Sequence, residues 1–368
     1  MTLTESGSST QGGNLQTRPN PTQMNSSNFR PAIILIAAIG IGVFAYLFHN
    51  RKDATPPGQK SEASSLPLIK CGFETWMGFS GFYIADQKGL FEKHGLRVQI
   101  SRIEAQQDKN AAMARGDIDV MGATLDSSIL SKGAGIPARI VYALESSPGN
   151  DAIIADNRIT SFADLKGKKL AVEFGYVEHL LVLYVLQQNK IDVNDVQLVG
   201  MPNDQAVLAF KGHSVDAIAT YEPLLSQAAS RPDSHRLVDS SSLPRLFSTV
   251  AFASDKLATE QPAVLKAFIA ALAEAEDYWK ANPQEAIKAV ALKWGIPESE
   301  ALDAAGKTIP FSSSEQAKLL GDGVTAGTIV PLLKTCHDIW RSTGLLKADV
   351  DYAKLVDGSF LPSKPNAK

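Results

Sequence analysis

From residue 66 onward, short apolar runs alternate with helix-spaced apolar positions. Residues 66–73 form an apolar run of strand length, and residues 78–100 read as turn, short helix, glycine stop and strand. Phe82, Ala85, Gly89 and Phe91 approximate one helical face, and Ser80 stands where an N-cap belongs. Gly95 permits the left-handed C-cap from which Leu96-Arg97-Val98 leaves as a strand. Strand, aromatic-rich loop, helix and strand together open a parallel α/β domain, in which ligands sit beyond the carboxyl ends of strands. The rhythm continues through a helix at 108–115 and a strand at 118–123. A short helix at 126–131 and strands at 138–144, 151–155 and 169–173 follow. An apolar helix spans 177–188, then strand, helix and strand fall at 196–200, 204–210 and 215–220, with another strand at 247–253. From Pro262 the spacing is helical, over 263–280, 283–293, 298–305 and 325–342.

One unit occurs twice. Ala114-Arg115-Gly116-Asp117-Ile118-Asp119-Val120 is echoed by Phe210-Lys211-Gly212-His213-Ser214-Val215-Asp216-Ala217, each copy followed by an acid, Asp126 or Glu222. Two similar lobes, each presenting an acid just past a strand, would face those acids across a pocket.

The N-terminal part follows a different pattern. Residues 1–30 are rich in Ser, Thr, Gln, Asn and Gly and predict a disordered segment. Residues 32–48 are an uninterrupted apolar run flanked by Arg30 and by Arg51-Lys52. The segment 31–49 is therefore expected to be a membrane anchor or a cleaved signal, and its nearly balanced flanking charge does not orient it. Residues 50–65, with Pro56-Pro57-Gly58 and several serines, predict a flexible tether.

Composition narrows the class. In 368 residues, 44% hydrophobic and 20% charged side chains suffice for a sizeable core, and a formal charge of −3 argues against nucleic acid. Cys71 and Cys336 fit neither a disulfide framework nor a metal site, and read as buried free thiols unless the fold brings them together. The six histidines have no ligand-like spacing, and the nucleophile-elbow, phosphate-loop and zinc-protease motifs are absent. No enzyme activity, metal or cofactor is expected.

Trp76, Gly78, Tyr83, Ala85, Lys88-Gly89-Leu90-Phe91 and Gly95-Leu96 together resemble the first lobe of periplasmic substrate-binding proteins of ABC importers, of the nitrate/sulfonate/taurine type. The resemblance runs on through Gly116-Asp117-Ile118-Asp119, the segment from Asp164 to Lys169, and Val215-Asp216-Ala217, covering roughly residues 66 to 345. It implies a two-lobed periplasmic-binding-protein fold, type II-like, each lobe a mixed sheet flanked by helices. Lobe 1 would comprise 66–153 and 247–360, lobe 2 residues 154–246, with the globular part outside the inner membrane. Partners would be a separate permease and ATPase. The resemblance extends to thiamine-pyrimidine synthases, whose cysteine- and histidine-rich site this chain lacks.

The candidate ligand residues are Trp76, Phe79, Ser80, Asp126, Glu145, Glu173, Tyr176, Tyr221 and Glu222, with Phe174 as a further ring. The aromatics fall in loops where the resemblance places the cleft, and the acids at or beyond strand ends. No Arg or Lys occupies those loops. Acids with aromatic walls suit a cation, whereas the helix start at Tyr176 could hold an anionic end through backbone amides. The expected ligand is a small amine, amide, amidine or zwitterion such as taurine. A sensory module signalling to a membrane partner, or an anion binder of the same family, are the alternatives.

Overall fold

The computed structural model describes residues 66–243, 245–321 and 325–362. The expected disordered segment, membrane segment and tether lie outside the described residues. Among the described residues, no helix is long and apolar enough to cross a membrane.

The chain lays down β1 (Leu68–Phe73), β2 (Arg97–Arg102), β3 (Val120–Thr124) and β4 (Ala138–Ser146) in one sheet. It then builds a second sheet from β5 (Asp151–Asp156), β6 (Lys169–Val172), β7 (Gln197–Gly200), β8 (Ala217–Tyr221) and β9 (Ser234–Asp239). β10 (Ser248–Ser254) and the two-residue β11 (Ile309–Pro310) return to the first. The strand orders are β11-β4-β10-β3-β1-β2 and β7-β6-β8-β5-β9. Each sheet has a parallel trio, β2-β1-β3 or β7-β6-β8, joined on the side of its third strand by an antiparallel strand, β10 or β5. Strands β4, β5 and β10 are almost wholly buried, which is why they read as apolar runs rather than alternating ones.

The passage between lobes falls between Ser146 and Asp151, and the return between Asp239 and Ser248. The sequence reading put the first division at 153/154. That is inside β5, whose partners β8 and β9 commit it to lobe 2 from its first residue.

The echoed segments hold equivalent places. The Asp119 carboxylate accepts the Lys70 amide at 2.9 Å at the start of β1, and the Asp216 carboxylate accepts the Lys169 amide at 3.0 Å at the start of β6. In each lobe one aspartate ties the third strand of the trio to the first.

Residues 82–91 do not form a single helix. Gly89 adopts φ 63° and separates helix Ser80–Gln87 from helix Leu90–Lys93. Ser80 does not cap: it is the first helical residue, and its hydroxyl donates to the Met77 carbonyl at 2.5 Å. The helix Val177–Gln188 is apolar on every side because both sides are covered. One packs on β5 and β8, the other on helices Leu125–Gly133 and Ile329–Ser342 of lobe 1. His179 on this helix lies between the rings of Phe174 and Trp340, at 4.9 and 5.4 Å, and burial pushes its pKa down to about 4. Cys71 and Cys336 are buried free thiols in separate apolar clusters.

Candidate functional site

The carboxyl ends of β1, β2, β3, β6 and β8 converge on one cleft, the place where ligands sit on open α/β sheets. It encloses about 740 Å³, mouth included. Lobe 1 contributes Glu74 and Trp76 after β1, Glu104 and Gln106 after β2, Thr124 and Ser127 after β3, and Phe247 and Thr249 at β10. Lobe 2 contributes Asp151 at the start of β5, the turn from Gly175 to Glu178, and Tyr221 at the end of β8. Among the described residues the lining thus holds four carboxyls and four aromatic rings, and no Lys, Arg, His or Cys.

The rings are fixed by polar ties. Trp76 donates its indole N–H to Glu145 Oε1 at 3.2 Å and meets Tyr221 edge-on across the lobes, centroids 5.9 Å apart. Tyr176 accepts the Gln106 amide at 3.1 Å, another interlobe contact. A Cβ on Gly78 would run into the Glu145 carboxylate and the Trp76 indole, so glycine there lets the two approach.

The acids divide by environment. Glu74 pairs with buried Lys109, and Glu104 with Arg102, which neutralises both. Asp151 and Glu178 are 4% and 1% exposed and pair with no base among the described residues. Burial, then the neighbouring Glu145, pushes Asp151 up to about 8. Burial and Asp151 push Glu178 well above the carboxylate range, and its Oε2 has no hydrogen-bond partner. Carboxyls in that position are neutral until something compensates their charge.

Of the residues expected from sequence, Trp76, Tyr176 and Tyr221 line the cleft. Phe79 does not. The 3₁₀ turn Met77–Phe79 drives it into the core against Phe73, with centroids 5.2 Å apart. Ser80 is buried below that turn. Glu145 sits behind the wall, accepting from Trp76 and, at 2.9 Å, from Thr249; burial lifts it to about 7. Asp126 is fully buried in the first turn of Leu125–Gly133, unbonded, and burial lifts it to about 6. Glu173 turns away to accept from the Asn203 amide at 3.1 Å and from its side chain at 2.9 Å. Glu222 accepts the Ser226 amide at 3.0 Å and lies 3.4 Å from Lys307. Phe174 is half exposed outside the cleft.

Asp126 and Glu222, expected to face each other from equivalent places, are not equivalent in register, and neither is among the described lining residues. In sheet register Val120 pairs with Cys71 as Ala217 pairs with Leu170, which matches Thr124 with Tyr221 and Leu125 with Glu222. One residue of slip changes which way a side chain points. Asp151 and Glu178 were missed because an acid opening a strand, or in the first turn of a helix, looks like an ordinary solvated end.

One acidic cluster lies elsewhere: Asp156, His213 and Asp233 can bring ligand atoms within 4.8 Å of one another. Arg231 bridges both of its carboxylates and Arg158 pairs with Asp156, so its charge is spent internally.

A family model described as NMT1/THI5 like matches residues 76–286. A Brucella abortus protein described as a binding protein is 28% identical over 292 residues, covering 78% of this chain and 89% of its own length. The taurine-binding periplasmic protein of Escherichia coli is 27% identical over 231 residues, covering 59% and 70% respectively. The crystal structure of the periplasmic aliphatic sulphonate binding protein from Escherichia coli matches with a TM-score of 0.67 at 22% identity. The match covers 79% of this chain and 97% of that one. The two-lobed architecture is thus the periplasmic-binding-protein fold.

Proposed function

The chain belongs to the NMT1/THI5-like family, and from that premise we propose that it is an extracytoplasmic solute-binding protein. It captures a small nitrogen-containing organic molecule, an amine, amidine, amide or zwitterion, in the interlobe cleft and delivers it to the permease and ATPase of an ABC importer. One observation carries the ligand class: two carboxyls without a base, Asp151 and Glu178, and four rings line the cleft, with no basic side chain among its described lining residues. A cation gains from both, through charge-assisted hydrogen bonds of about 1.5–3 kcal/mol and ring contacts of about 0.5–2 kcal/mol. Interlobe contacts through Trp76, Tyr221 and Tyr176 let ligand binding bias the lobes toward closure.

A second feature favours an acid group on the same molecule. The helices Leu125–Gly133 and Val177–Gln188 both start at the cleft, where their free amides attract negative charge. Asp126 and Glu178 in those first turns can ionise beside a cation but not beside a bare anion, so a zwitterion uses both features and fits better than nitrate or a simple sulfonate.

The test is calorimetric titration of the protein with benzamidinium, small alkylamines, amides, taurine and nitrate. Binding is expected for cationic, amide or zwitterionic compounds. Tight binding of nitrate alone would overturn the ligand class.

A further inference from the structure

We infer that this cleft exchanges a proton for its ligand: a positive group entering beside Asp151 and Glu178 displaces one carboxyl proton, which leaves to solvent. The inference rests on the cationic reading of the cleft given above. In chemical terms a neutral carboxyl and a cation become a carboxylate–cation pair and a released proton, and no other reactant is needed.

The geometry supports it in three ways. First, two nearly inaccessible carboxyls from different elements, β5 and the first turn of Val177–Gln188, line one cavity, and Glu178 Oε2 has no hydrogen-bond partner among the described residues. Second, the charged side chains that act on them most strongly are all acids. Glu145 from β4, Asp126 from Leu125–Gly133 and Glu222 beyond β8 act on Asp151; Glu173 beyond β6, Asp126 and Asp151 act on Glu178. The other groups facing this seam are neutral: Tyr221, whose phenol burial raises; Cys336 of Ile329–Ser342, whose thiol burial raises; and His179, held between Phe174 and Trp340. Third, two bases paired with acids around this cleft are already engaged, Lys109 by Glu74 and Lys307 by Glu222.

Two carboxylates with no base in a desolvated cavity do not ionise together. Asp151 lies at about 8, so the empty cleft holds a proton at neutral pH. A bound cation reverses the local field and releases it. Affinity for a cation must then rise with pH, by up to about tenfold per unit, and level off above pH 8. For an anion the sign reverses, and a proton is taken up.

The decisive measurement is proton counting. Benzamidinium chloride, a fixed cation across this range, is titrated into the full chain in unbuffered saline at pH 7 under a pH electrode, with sodium nitrate as comparator. Sulfonate and amine buffers are left out because they are themselves candidate ligands. Release of about one proton per bound benzamidinium is expected. Asp151→Asn and Glu178→Gln each remove one of the two carboxyls that can give up that proton, and at least one of them should cut the release by half or more. Benzamidinium binding with no proton exchange, or with exchange unchanged in both variants, overturns the inference and leaves the ligand class standing. Binding of nitrate with proton uptake, and none of benzamidinium, overturns the ligand class and the inference with it.

Discussion

The two lobes present the same backbone positions to the cleft and fill them with different chemistry. In lobe 1 the last residue of β3, Thr124, pairs across the strands with Thr249 of β10. In lobe 2 the last residue of β8, Tyr221, pairs in the same way with Asp151 of β5. All four line the cleft. Past the first strand of each trio, Glu74 and Glu173 also correspond, yet Glu74 meets Lys109 at the cleft while Glu173 caps helix Asn203–Lys211 outside it. The scaffold aspartates Asp119 and Asp216 keep one job in both lobes. The comparison separates what the fold requires from what the ligand requires. Strand-tying contacts are repeated, whereas hydroxyls in one lobe face a phenol and a carboxyl in the other.

The largest test of that asymmetry is the pH dependence of the ligand-free protein. Asp126, Glu145 and Asp151 lie at about 6, 7 and 8, all above their unfolded values. A raised acid contributes stability that is complete below its unfolded pKa and is lost as pH climbs through the folded one. Urea unfolding should therefore show stability falling by roughly 3–5 kcal/mol from pH 5 to 8.5, at about 1.4 kcal/mol per effective pKa unit and discounted for coupling. Glu145→Gln should remove the middle of the fall, which belongs to lobe 1, and Asp151→Asn the upper part, which belongs to lobe 2. A flat profile would mean that these carboxyls are ionised in the folded protein.

A smaller effect tests the backbone correspondence. Gly122 in β3 matches Ala219 in β8, and a Cβ at Gly122 would run into the Phe79 ring and Phe73. Gly122→Ala should cost about 1–3 kcal/mol by overpacking. Ala219→Gly should cost roughly 0.5–1 kcal/mol, the ordinary penalty for glycine in a strand. Equal costs would mean the two positions are packed alike and the lobes diverge elsewhere.

This asymmetry also marks what the sequence could reveal. The repeat of helix, glycine turn and strand ending in Asp119 or Asp216 was legible because it is local. So were Trp76, Tyr176 and Tyr221, aromatic residues in loops or at strand ends with little core nearby. Phe79 looked the same until the 3₁₀ turn at Met77–Phe79 sent it inward. The expected acids lie off the described cleft lining because their placement depends on register and on partners distant in sequence. Lys307 is 85 residues from Glu222. Asp151 is a cleft residue only because β5 runs antiparallel to β8 and starts where β8 ends.

Glu222 gives the smallest effect and the sharpest contrast. Read from sequence alone, it is a ligand acid, and its amide variant would lose affinity. In the fold it occupies the register position of Leu125, caps helix Leu224–Ala229 by accepting the Ser226 amide, and approaches Lys307, whose side chain is 40% exposed. Glu222→Gln keeps the accepting oxygen and gives up only the ion pair. A pair of that exposure contributes between nothing and about 1 kcal/mol. Stability should therefore fall by less than about 1 kcal/mol in urea unfolding, and affinity for any ligand of the cleft should stay within about twofold. A tenfold loss of affinity with unchanged stability would put Glu222 back among the ligand-contacting groups. It would also mean that the lobes face each other with the acids the sequence first suggested.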